Sequence, residues 1–290
     1  MSARLRPLDE LDSAGISPLV GVLCDIDDTL TLGGRLVPEA FAALAELQRC
    51  GLAVIPVTGR PAGWCDLIAR QWPVSGVVGE NGGLWFWMAS PEGAGGTGPA
   101  RLRRGFWQPE AERLRNRAAL DAVAGQILAA VPGTALASDQ GYRALDLAID
   151  FCEDVPSLPR PAVDAIVDAF TGIGATCKVS SIHVNGWFGD FDKLSGFGRL
   201  VAELGLPSDP ARWAFVGDSA NDAPMFSHFP LSVGVANVDH FLDRIPVWPR
   251  YRCEEQGGVG FAAFAQRLLA LRQPVPNQPR PAARDTGGAS

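Results

Sequence analysis

Lysine is almost missing from this chain: of its 25 basic residues only Lys178 and Lys193 are lysines, and the others are arginines. Those basic residues are scattered singly and the formal net charge is -7. There is thus no basic stripe to neutralise a phosphate backbone, which argues against nucleic acid as a partner. No run of about 18 apolar residues occurs, so no membrane span is expected. The polar, mixed-charge start, Met1 to Ser17, lacks an apolar core of signal-peptide length, and the expectation is a cytoplasmic protein. The six cysteines (Cys24, Cys50, Cys65, Cys152, Cys177, Cys253) form no C-x-x-C pair. That excludes the usual opening of a zinc site or redox motif and leaves buried, reduced thiols. Internal repeats are absent as well.

What is present is an ordinary globular composition: 290 residues, 47% hydrophobic and 20% charged, enough for one core domain carrying a large insertion. Leu19 to Cys24 is a continuous apolar run, as expected of a strand buried on both faces of a parallel sheet, and carboxylates follow it directly. A helix from Pro38 to Arg49 leads to a second run, Leu52 to Val57, ending in Thr58-Gly59-Arg60. A third unit passes through a helix near Trp64 to Trp72 into Gly76-Val77-Val78, then Gly79-Glu80-Asn81-Gly82-Gly83. Later runs are Trp213 to Val216 before Gly217-Asp218, and Leu231 to Val235 before Ala236-Asn237.

This alternation predicts an α/β fold, a doubly wound parallel sheet whose ligand site lies outside the carboxyl ends of its strands. From Leu84 to about Asp190 the texture changes to aromatic strands (Leu84 to Met88, Arg103 to Trp107), a glycine-rich loop (Ser90 to Pro99), a long helix (Pro109 to Val131) and alternating segments. The expected division is a core over residues 1–83 and 191–272, an inserted α+β cap over 84–190, and a disordered tail over 273–290.

In an extended segment residues two apart share a face, so Asp25 and Asp27 would project together from the loop leaving the first strand. Paired carboxylates repel, and a hard divalent cation with oxygen ligands, such as Mg²⁺, relieves that repulsion. Gly217-Asp218-Ser219-Ala220-Asn221-Asp222 follows another apolar strand. Asp218 is the candidate direct metal ligand there, with Asn221 and Asp222 supporting it or its waters. Thr58 and Gly59 offer a hydroxyl and an unhindered backbone N–H to a phosphate oxygen. Lys193 fits a site where a compact ammonium meets a carboxylate and a phosphate together, for which arginine is no substitute.

DIDDT, TGR, a lysine after the insertion and GDSAND, in that order, resemble the haloacid dehalogenase superfamily. The likeness is to its phosphatases with a large α+β cap, the branch of the Cof-like, sucrose, trehalose and mannosylphosphoglycerate phosphatases and of the phosphomannomutases. It covers roughly Leu19 to Leu271, the Gly257-Gly258-Val259 segment included. The resemblance implies a hydrolase of a small phosphorylated metabolite, most naturally a sugar phosphate. Asp25 would be the nucleophile that forms an aspartyl-phosphate, and Asp27 the general acid and base. Thr58 and Lys193 would hold the phosphoryl oxygens; Asp25, the backbone carbonyl of Asp27, and Asp218 would hold Mg²⁺; and Asn81 would line the entrance. Asp27 disfavours dehalogenation, because the dehalogenase members lack a carboxylate two residues after the nucleophile. A sugar phosphomutase keeps the same chemistry with a different acceptor, and a non-catalytic binding module would have lost one of the four anchors. His183, Asn185, Trp187 and Lys178 lie near Lys193 in sequence; His183 reads first as a hydrogen-bonded strand residue. Trp85, Trp87, Trp107 and Trp187 read first as packing residues.

Overall fold

In the computed structural model of the chain, residues 5–272 are described apart from 15, 17, 91–97, 181 and 244. The tail 273–290 and most of the glycine-rich loop therefore lie outside the described residues.

Six strands, all parallel to their neighbours, lie in the order Arg6–Pro7, Tyr251–Arg252, Leu231–Gly234, Trp213–Gly217, Gly21–Cys24 and Ala53–Pro56. A parallel bridge between Val57 and Val78 adds Val77–Gly79 beyond the last of them. The central strand Gly21–Cys24 is buried at every residue because both sheet faces are covered. Val22 and Cys24 join the core formed with Leu44 and Leu47 of helix Pro38–Arg49 and with Phe261, Phe264 and Leu268 of helix Gly257–Leu271. Leu23 joins the opposite core, with Phe197 and Leu200 of helix Lys193–Glu203 and Phe226 of helix Ala223–His228. Each such side chain contributes roughly 1.5–3 kcal/mol by leaving water. Together they set the strand ends in one plane, with every polar motif on the same rim.

The insertion has its own core. Thr176–Val179, His183–Trp187, Leu147–Asp150 and Ala135–Leu136 form a four-stranded antiparallel sheet in that order. Leu147, Ile149 and Val184 pack with Leu120 and Ile127 of helix Glu110–Ala130 and with Ile166 and Phe170 of helix Arg160–Gly172. The register pairs Ala148 with Asn185 and Asp150 with His183. Since alternate residues project to opposite faces, His183, Asn185 and Trp187 turn away from the cap helices and towards the parallel sheet. The α/β core with an inserted α+β cap is thus the architecture observed.

The aromatic strands Leu84–Ala89 and Arg101–Phe106 do not join the cap sheet. They form an antiparallel extension of Val77–Gly79, and Leu84 and Phe86 belong to the main core. A hairpin that follows a core strand at once pairs with that strand, and alternation alone does not say to which sheet it will be added.

Candidate active site

Asp25 leaves the first core strand with its N–H bonded to the Val216 carbonyl (2.9 Å), so its position is set by the sheet. Beyond it the chain turns tightly: the N–H groups of Thr29, Leu30 and Thr31 all donate to the Ile26 carbonyl. Asp28 sits at φ +56°, a left-handed conformation that Asp tolerates better than most residues. Asp25 and Asp27 line one cleft, as their spacing suggests, but they meet different partners.

Asp25 Oδ1 accepts from Lys193 Nζ at 2.7 Å, and Asp222 Oδ1 accepts from the same ammonium at 2.8 Å. Lys193 starts its helix, and Asp192 caps it through a reciprocal pair of bonds with Ser195. The helix comes this close because Gly82, at φ +107°, has no side chain: a Cβ there would lie 1.9 Å from the Asp192 carbonyl oxygen. Burial opposes the charge on Lys193, but Asp222 and Asp25 outweigh it and hold the ammonium protonated above its usual range.

Oxygens of Asp25, Asp218 and Asp222 lie within 4.8 Å of one another, all buried. Asp222 is already occupied: besides Lys193 it accepts from the backbone N–H groups of Asp218 (3.1 Å) and Ser219 (3.4 Å). Asp218 Oδ1 accepts from the Thr29 hydroxyl at 3.1 Å. One oxygen each of Asp25 and Asp218 remains to face a cation. Burial lifts the Asp25 carboxyl to about 7 against the pull of Lys193, and Asp222 and Asp27 add to the lift. Asp218 is pushed well up by burial, then by Asp222 and Asp25. Three buried carboxylates beside one ammonium fit a hard divalent cation, which would hold the ionised forms. Asp222 supports this group as scaffold. The Asp27 carboxylate lies outside it, so the cation role left to Asp27 is the backbone carbonyl that the resemblance implies.

The phosphate-binding candidates are less uniform. Gly59 lines the cleft, whereas Thr58 is fully buried behind it, with its hydroxyl accepting from the Arg60 N–H at 3.0 Å. Asn81, at φ +55°, donates its N–H to the Thr58 carbonyl, lines the cleft, and keeps its side-chain Nδ2 buried without a partner. Asn221 lines the cleft and accepts from the Ser219 hydroxyl at 2.8 Å.

Sequence reasoning passed over Arg60, Glu80, Asp139, Arg143, Asp146 and Glu153, which join core to cap. Arg60 grips Asp27 through Nε (3.0 Å to each oxygen) and Nη2 (2.8 Å to Oδ1), and Nη2 also reaches Glu153 of the cap at 3.1 Å. Burial opposes its charge; Asp27 and Glu153 more than restore it. The Glu80 carboxylate accepts from the N–H of Ala62 in the core and of Ala144, Leu145 and Asp146 in the cap. Arg143 bridges Asp139 and Asp146 and donates to the Gly59 carbonyl at 3.0 Å. The one signal in sequence was that Arg60 and Glu80 directly adjoin the motif residues Gly59 and Asn81.

From the cap, Ser180, Ile182, His183 and Asn185 complete the cleft wall. His183 Nε2 lies 2.9 Å from Glu153 Oε2, near enough for an ion pair though not aligned as a hydrogen bond. Asn185 donates to Asp146 at 2.8 Å. Trp187 is buried against Phe191, centroids 5.5 Å apart, and packs rather than presenting a free face. Lys178 borders an adjoining recess with Trp187 and Asn81. The free volume over Asp25, in a cleft partly open to solvent, is about 30 Å³, room for roughly two waters.

No family model matches the chain. Over 226 residues it is 29% identical to a phosphoglycolate phosphatase of Haloarcula marismortui, covering 75% of this chain and 85% of the relative. Among solved structures, it superposes on the sucrose-phosphatase of Synechocystis sp. PCC6803, in complex with sucrose and phosphate, with a TM-score of 0.58 at 16% identity, over 87% of this chain and 98% of the other. A haloacid dehalogenase-like hydrolase from Bacteroides thetaiotaomicron gives a TM-score of 0.59 at 13% identity, over 86% and 99%.

Proposed function

We propose that this chain, a phosphatase of the haloacid dehalogenase type, is a Mg²⁺-dependent phosphomonoester hydrolase that works through an aspartyl-phosphate on Asp25. The observation that carries the proposal is the Lys193 ammonium bonded at once to Asp25 and Asp222, beside the free oxygen of Asp218. A carboxylate nucleophile needs its own charge and a phosphate's charge offset in one place, and this geometry supplies both a buried cation and a cation site.

In the first step an Asp25 oxygen attacks phosphorus, the ester P–O bond breaks, and Asp27 passes its proton to the leaving oxygen. In the second, Asp27 takes a proton from water, the water oxygen attacks phosphorus, and the bond to Asp25 breaks, returning the free carboxylate. Asp25, Asp218 and the carbonyl of Asp27 would hold Mg²⁺, which supplies several kcal/mol of charge stabilisation as a Lewis acid. Lys193 and the Gly59 backbone would hold phosphoryl oxygens, the Thr58 hydroxyl backs this turn from behind the cleft and would join them only where its proton can reach past Gly59, and Asn81 offers its unpartnered amide.

The substrate is a small phosphorylated metabolite, and a sugar phosphate is the reading favoured by the cap. The cations on the cleft, Arg60 and Arg143, are already committed to carboxylates, and the cap side of the same cleft is lined by the polar residues Ser180, His183 and Asn185, with Ser180 Oγ bonded to the His183 backbone and the Asn185 amide to Asp146. Purified protein with Mg²⁺ is expected to release inorganic phosphate from p-nitrophenyl phosphate, and Asp25→Asn to abolish release. Full activity in that variant would overturn the mechanism. A panel of sugar phosphates beside phosphoglycolate then ranks the leaving groups, and an isomeric sugar phosphate in place of inorganic phosphate would mark a mutase.

A further inference from the structure

We infer that Arg60 is the positioning residue of the leaving-group step: it orients the Asp27 carboxylate and ties that orientation to the closed cap through Glu153 and Asp139. The inference rests on the reading of Asp27 as general acid and base given above.

An arginine directly after the Thr58-Gly59 turn could be taken for a phosphate ligand. Its contacts say otherwise. Nε and Nη2 are spent on Asp27, Nη2 is shared with Glu153 at 3.1 Å, and Nη1 stands 3.5 Å from Asp139 Oδ2. One face of the guanidinium lies over the Trp64 ring at 4.5 Å. With its Nε and Nη2 edge bonded to Asp27, a face stacked and the side chain 7% exposed, the edge that would chelate a phosphoryl oxygen is already spent.

Two of these partners belong to the core and two to the cap. Asp27 and Trp64 hold Arg60 from below whatever the cap does. Glu153 and Asp139 reach it only with the cap down, because they lie on the loop after strand Leu147–Asp150 and just before Gln140–Tyr142. The free space over Asp25 is about 30 Å³, too little for a phosphate ester beside the cap, and a lift of the cap that made room for one would separate these carboxylates from Arg60. On closure they return and restrict the guanidinium, and the guanidinium restricts Asp27. A planar fork does this where an ammonium could not, since two parallel bonds set the tilt of a carboxylate as well as its distance.

The test separates orientation of the acid from support of the fold. Hydrolysis of p-nitrophenyl phosphate expels a phenolate that needs no proton; glycerol 2-phosphate expels an alkoxide that does. With Mg²⁺, Arg60→Gln is expected to slow the first turnover of glycerol 2-phosphate on the order of 10²-fold while changing the first-turnover release of p-nitrophenolate little; steady-state turnover of both esters falls, because breakdown of the aspartyl-phosphate also uses Asp27. Asp27→Asn should show the same selectivity in the first turnover, and the double variant should be no slower there than Asp27→Asn alone. Arg60→Lys keeps the buried charge but not the fork, so it should fold and still discriminate between the esters. Glu153→Gln, which leaves Asp27 and its fork untouched, should slow glycerol 2-phosphate by a smaller factor. Equal first-turnover loss on both esters in Arg60→Gln and Arg60→Lys, or no first-turnover loss on either, would overturn the inference and leave the phosphatase reading standing. A wild-type protein inert towards both esters would remove that reading and the inference with it.

Discussion

Two of the buried cations at this cleft, Lys193 and Arg60, are used differently. Lys193 sits among core carboxylates, Asp25 and Asp222, with Asp218 beside them; Arg60 stands between a core carboxylate, Asp27, and two from the cap, Glu153 and Asp139. At the first position a compact point charge is shared among oxygens that must also meet a phosphate. At the second, a rigid fork sets one carboxylate's orientation. In a chain with only two lysines, one of them stands where an ammonium is required.

The largest expected effect comes from removing the first cation. Lys193→Met leaves Asp25, Asp218 and Asp222 facing one another, and should cost about 3–5 kcal/mol of stability together with a fall in kcat on the order of 10²–10³. Thermal unfolding and steady-state turnover measure the two losses. Lys193→Arg should recover part of the stability and little of the turnover; full recovery would erase the distinction drawn between the two centres.

Next in size is the pH dependence of Mg²⁺ binding. The Asp25 carboxyl is lifted to about 7, first by burial. On the proposed function its ionised form would be the ligand, so protonation would compete with the metal as pH falls. Affinity measured by titration calorimetry should weaken roughly tenfold per pH unit below about 7 and level off above it. A flat profile would mean that Asp25 stays ionised without the metal.

Glu80→Gln probes the seam between the two regions. It replaces a carboxylate that accepts four backbone N–H groups by an amide with one acceptor oxygen, at an expected cost of about 1–3 kcal/mol. Hydrogen exchange should rise at Ala144, Leu145 and Asp146, while Mg²⁺ binding at the core carboxylates should hold.

The smallest effect belongs to Glu153, drawn down to about 2 by His183 and then by Arg60. A carboxyl lower in the folded than in the unfolded chain contributes stability above its ordinary range near 4.3, and that contribution is lost as pH falls towards 2. The stability gap between wild type and Glu153→Gln should therefore narrow between about pH 5 and pH 2, as followed by thermal unfolding. Partial exposure keeps that gap small.

The core was legible because its signals are local. An apolar run followed at once by polar residues marks a parallel strand and its carboxyl end, and this pattern placed Asp25, Gly59, Asn81 and Asp218 on one rim. Lys193 was legible by rarity and by its place at a helix start. Less was readable where partners are distant. Arg60 meets Glu153 across 93 positions, and nothing near either residue announces the other. Strands Leu84–Ala89 and Arg101–Phe106 carried a clear strand pattern, yet the sheet they would join depended on the edge left open beside Val77–Gly79.

By itself, then, the sequence determined the chemistry of the core rim: which carboxylates stand at strand ends, and that a lysine rather than an arginine accompanies them. Periodicity and motif order suffice for that, because strand ends are specified within a few residues of the chain. Only the tertiary structure decided that Asp27 belongs to Arg60 rather than to the cluster of Asp25, Asp218 and Asp222, that Asp222 is scaffold, and that Glu80 ties the cap to the core. Those assignments depend on which oxygens remain unpaired once all the buried charges have met, and that is a property of the packed whole.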